Sequence, residues 1–156
     1  MKFSIKKALM LPVIASIFIA GCSKEEDSTT PVTPTSPIDG KVMVASGTSS
    51  DAEVDIKVYA DQALFVGYNK LYTMVYKQGT SEIISSAHVT YKMTMSMKSG
   101  MMHACPTEQP TTTDPDNGVF DGAIIPIMPS GEMGSWELQV NVHNHTNSKE
   151  GASDMT

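Results

Sequence analysis

His88-Val89-Thr90-Tyr91-Lys92-Met93-Thr94-Met95-Ser96-Met97 is the stretch whose pattern decides the fold. Val89, Tyr91, Met93, Met95 and Met97 alternate with His88, Thr90, Lys92, Thr94 and Ser96. Side chains on a strand leave alternately to opposite faces, so a period of two predicts one long strand, apolar on one side and wet on the other.

The same period recurs on both sides of it. Trp136, Leu138, Val140 and Val142 alternate with Glu137, Gln139, Asn141 and His143, while Val54, Ile56 and Val58 alternate with Asp55, Lys57 and Tyr59. Leu71 to Lys77 is rich in strand formers, namely Tyr72, Thr73, Val75 and Tyr76. A further strand is expected from Val119 to Met128, opened by the turn Asp116-Asn117-Gly118. From Lys41 onward no segment reads as a helix. Short strands separated by Gly, Pro, Asn and Ser predict an all-β antiparallel sandwich with Trp136 near its centre.

The start of the chain has a different character. Lys2, Lys6 and Lys7 precede the apolar run 8–20, which is the length of a secretion-signal core and short of the roughly twenty residues a bilayer span needs. The run closes on Ile19-Ala20-Gly21-Cys22, which resembles the bacterial lipobox: a branched apolar residue, two small residues, then the lipid-bearing cysteine. Residues 1–21 are therefore expected to be a removed lipoprotein signal peptide, with Cys22 the lipid attachment site. Ser23 rather than aspartate follows Cys22, which points to the outer membrane. The acidic cluster Glu25-Glu26-Asp27 resembles the surface-export signal of Bacteroidetes lipoproteins, although charged runs here are commonly solvated tethers. Residues 28–38 are rich in Thr and Pro, a composition that favours extended backbone and predicts a semi-stiff linker over residues 22–40.

Without residues 1–21 the chain keeps eight lysines, no arginine and seventeen acidic residues, a balance of −9. Such a surface argues against nucleic acid and acidic lipid head groups as partners. The membrane, reached through the N-terminal lipid, and other envelope proteins are the expected partners. With Cys22 lipidated, Cys105 is the only thiol left and no internal disulfide can form.

Several features together resemble the YtkA-like (FixH-like) extracytoplasmic β-sandwich domain. They are the strand Met93-x-Met95-x-Met97 followed by Met101, Met102 and His103, the strand start at Gly118 and Phe120, Met128-Pro129, and Gly134 with Trp136 leading Leu138 and Val140. The resemblance covers roughly residues 53–145. It implies an immunoglobulin-like sandwich over residues 41–147 and an association with copper handling outside the cytoplasm. Residues 148–156 depart from it, since such a domain ordinarily continues with a further strand. Either the protein is a truncated form, or this polar tail is a shortened last strand with an open edge.

Methionine is the compositional anomaly: of twelve, five lie between Met93 and Met102. Copper(I) is soft and takes thioether, thiolate and imidazole, and thioethers suit an oxidising compartment. Met97, Met101, Met102 and His103 are the candidate ligands, placed where the strand runs into a Ser-Gly loop; Met95 and Cys105 are weaker ones. Methionine also fills irregular core gaps, and for Met93 the core is the favoured reading. His143 and His145 would share one face of a continuing strand, but without a third ligand they read better as solvated histidines. His88 carries no assigned role. Asp114, Asp116 and Asp121 lack the spacing of a calcium loop and fit turn chemistry. No nucleophile elbow, phosphate loop or zinc-protease motif is present, so the chain reads as a non-enzyme.

Two functions remain open on the sequence: a lipoprotein binding copper(I), or an interaction module that supports an envelope complex and holds no metal. Cys22→Ala is expected to move the protein from the membrane to the soluble envelope fraction. Persistence of that variant in salt-washed membranes would mark residues 1–21 as an uncleaved anchor.

Overall fold

The computed structural model describes residues 36–156. The signal segment, Cys22 and residues 23–35 of the linker lie outside the described residues. Nine strands form among those described: β1 Val42–Ser49, β2 Val54–Ala60, β3 Asn69–Lys77, β4 Ala87–Met97, β5 Met102–Ala104, β6 Thr107–Glu108, β7 Val119–Ile124, β8 Gly134–Asn144 and β9 Lys149–Met155. They make a five-stranded sheet in the order β1-β2-β3-β7-β6 and a four-stranded sheet in the order β5-β4-β8-β9. Every pairing is antiparallel.

The alternations become the core. Val54, Ile56 and Val58 of β2 and Val75 and Leu71 of β3 are buried on one side. Val89, Tyr91, Met93 and Met95 of β4, with Leu138, Val140 and Val142 of β8, are buried on the other. All belong to one contiguous apolar cluster, which is what two sheets packed face to face require. Tyr91 adds a polar tie between the sheets. Its buried hydroxyl lies 2.7 Å from Thr73 Oγ1 on β3 and donates toward the Phe120 carbonyl on β7 at 3.2 Å. Burial holds that phenol far above its ordinary pKa, so it stays a neutral hydrogen-bonding group. No buried side-chain nitrogen or oxygen among the described residues lacks a partner.

One strand ends earlier than the sequence expectation, β1, β5 and β6 lie outside the strands expected, and the polar tail takes one of its two expected courses, that of a last strand at an edge. The strand expected over Val119–Met128 ends at Ile124, because Pro126 lacks the N–H a sheet interior needs. β1 carries no clean alternation: Val42 and Met43 are both exposed and its register shifts between Met43 and Ala45. The polar tail forms β9, paired with β8 from Asn144–Lys149 to Leu138–Met155, with Ser153 and Met155 buried. β9 packs against β1 through glycine. A Cβ on Gly47 would collide with the Ser153 hydroxyl, and one on Gly151 with the Ser49 hydroxyl.

Tyr91→Phe deletes the hydroxyl and leaves Thr73 Oγ1, itself fully buried, without that partner. Urea unfolding is expected to show a loss of about 1–3 kcal/mol with an unchanged denaturant slope. A loss below about 0.5 kcal/mol would show that the bond between the sheets contributes nothing net.

Candidate functional site

β4 and β5 form a hairpin closed by the turn Lys98-Ser99-Gly100. The Gly100 N–H donates to the Met97 carbonyl at 2.9 Å, with Gly100 in the left-handed region at φ 86°, and the Met97 N–H donates to the Met101 carbonyl at 2.9 Å. The register then runs Ser96 opposite Met102, Met95 opposite His103 and Thr94 opposite Ala104. One step beyond β5, the Cys105 N–H donates to the Met93 carbonyl at 3.3 Å.

Residues directly opposite on an antiparallel pair share a face, with Cβ atoms about 5 Å apart. Met95 and His103 therefore form an inward rung, and the pairing of Met93 with Cys105 places a second one beside it. Met93, Met95 and Cys105 are buried, while Met97 and His103 are partly so. At the open end stand Met97 and, across the turn, the exposed Met101. Met102, opposite Ser96, belongs to the other face and is 69% exposed. The register thus separates Met102 from the set Met97, Met101 and His103 with which the sequence grouped it. It also brings Met95 and Cys105 beside His103. Cys105 is free, and burial pushes its thiol pKa up, only partly opposed by the Ile125 and Cys105 N–H groups.

His143 and His145 stand at the opposite end of the sheet. β4 pairs with β8 from Ala87–Asn144 to Met97–Gly134, so His143 faces His88 across the strands. The nine steps from His88 to Met97 span about 30 Å. Among the described residues, no three His, Cys, Asp or Glu side chains converge as a metal-binding group. Asp116 lies in a turn that the Gly118 N–H closes on the Pro115 carbonyl at 2.9 Å, whereas Asp121 stands on β7 and pairs with Lys70 at 3.4 Å.

An apolar cleft of about 410 Å³ escaped the sequence reading. Met93, Trp136, Leu138 and Met155 wall it from one sheet and Val44 from the other, with loops 64–66 and 126–130 across its mouth. Trp136 is thus a cleft wall as well as a core residue, oriented by its Nε1–H donating to the Met128 carbonyl at 2.7 Å. Asn69 is buried and holds the first loop, donating to the Phe65 and Gly67 carbonyls at 2.8 Å. Phe65, Val66, Ile127 and Met133 stay exposed. The available signal was the pair of apolar runs Leu64-Phe65-Val66 and Ile125-Pro126-Ile127-Met128, each interrupted or followed by Pro or Gly.

No family model matches this chain, and neither a curated protein nor a solved structure matches it.

Proposed function

We propose that the chain is an outer-membrane lipoprotein, lipidated at Cys22, whose immunoglobulin-like, YtkA-like domain binds copper(I) at the β4–β5 hairpin without catalysing a reaction. One observation carries this reading. Alternate pairs along the β4–β5 hairpin set soft donors opposite one another: Met93 by Cys105, Met95 by His103, and Met97 across the turn from Met101.

Thioether and imidazole are the donors copper(I) prefers, and no carboxylate shares these rungs to favour a harder cation. Met97, Met101 and His103 are the ligands at the accessible end, with Met95 beneath them. Cys105 is a reserve ligand, because burial favours its protonated form and metal would have to displace that proton. Met102 is left out, being on the far face. The Thr/Pro-rich linker would act as a spacer between the lipid and the domain, and the acidic run after Cys22 as an export signal. The negative, arginine-free surface fits an envelope carrier or store with protein partners and no nucleic acid.

A second reading has its own support. The apolar cleft, with exposed Phe65 and Val66 in its lining, suits a module that docks another envelope protein and holds no metal.

Anaerobic competition against a chromophoric copper(I) chelator separates the two. One copper(I) per chain is expected, and replacing Met97 and Met101 with Leu and His103 with Ala together should weaken it by about 100-fold or more. Met102→Leu should change it by less than about threefold. Equal losses from Met102→Leu and Met101→Leu would contradict the hairpin site. A wild-type chain that takes up no copper(I) would leave the docking reading.

A further inference from the structure

Three of the four histidines in the chain lie together on the solvent face of the four-stranded sheet, at the end away from the methionine hairpin. His88 of β4 is the direct cross-strand partner of His143 on β8. His143 is in turn the direct partner of Glu150 on β9. His145 follows two residues on, and its N–H donates to the Ser86 carbonyl at 3.1 Å, so strand pairing continues past the end of β8. His145 therefore stays on the face of His143, and both are exposed.

We propose that His88, His143 and His145, with Glu150 as fourth donor, form a binding site for a borderline divalent metal ion of the zinc or copper(II) class. The proposal is independent of copper(I) at the hairpin, which lies about 30 Å away along β4.

The spacing suits such an ion. Zinc–imidazole bonds are about 2.0–2.1 Å, so two imidazoles on one tetrahedral ion hold their ring centroids about 5 Å apart. The rings of His143 and His145 are already 5.1 Å apart and edge-on. His88 completes a triangle, being directly opposite one member and diagonal to the other, both within reach of a long side chain. Ser86 Oγ lies 3.5 Å from His145 Nδ1. With Nδ1–H donating there, Nε2 is free for a metal, the second-shell arrangement ligating histidines commonly use. The side chains do not converge in this structure; His88, His143, His145 and Glu150 are all exposed, and the proposed site forms by their rotation on binding. Lys149, the nearest cation on β9, is engaged by Glu53. Imidazole and carboxylate suit zinc and copper(II), whereas the thioether rungs suit copper(I), so the two ends of the sheet would sort metals by softness.

The test is calorimetric titration of zinc(II) into the full chain in detergent, with cobalt(II) absorption reporting coordination geometry. Wild type should bind one zinc(II) with a Kd of about 10 µM or tighter and give tetrahedral cobalt bands. His88→Ala should weaken zinc by at least about tenfold, and Glu150→Gln by less. The Met97, Met101 and His103 triple variant should bind zinc as wild type does. Circular dichroism must show unchanged strand content, as expected for exposed positions. No saturable binding below about 100 µM would overturn the proposal, as would a His88→Ala chain that bound zinc as tightly as wild type.

Discussion

Pairing of β4 with β8 over all eleven residues of both strands, Ala87–Asn144 through Met97–Gly134, is the constraint on which the other features depend. The register is unbroken, so the period-two pattern of each strand reaches the folded state without a slip. A shift of one residue would exchange the faces, putting Val89, Tyr91, Met93 and Met95 into water and His88, Lys92 and Ser96 into the core. Burial of the first set is what holds the register, since the only described cysteine is free and no disulfide contributes. Tyr91 adds direction to that burial, its hydroxyl reaching Thr73 and Phe120 on the facing sheet.

One register thereby places two chemically different groups. The odd-numbered positions of β4 carry methionine inward, where β5 meets them with His103 and, one step on, Cys105. The even-numbered positions face solvent, where His88 meets His143. Soft donors are half-sheltered at one end and imidazoles are open to water at the other. This division follows from strand geometry and residue parity alone.

Much of the fold was legible in the sequence, and the exceptions have physical causes. β2, β4 and β8 declare themselves because one face of each is buried and the other is wet. β1 and β9 are edges, and edges need less apolar surface: β9 reads Lys-Glu-Gly-Ala-Ser-Asp-Met and buries only Ser153 and Met155. β5 and β6 are three and two residues long, too short to show a period. The candidate site was legible as a list of donors and not as an arrangement. Sequence proximity grouped Met102 with His103, although neighbours on a strand face opposite ways. Nothing local in the sequence aligns His88 with His143, fifty-five positions later, because cross-strand register is a tertiary property. The cleft beside Trp136 was hidden for the same reason, its wall being assembled from both sheets and two loops.

X-ray absorption at the copper edge, on the chain loaded anaerobically with one equivalent of copper(I), reads the donor atoms of the bound metal. The hairpin site predicts a mixed first shell, with two or three sulfur scatterers at about 2.3 Å and one nitrogen from His103. A first shell of nitrogen and oxygen alone would contradict it, and would move the metal to the histidine row at the other end of β4.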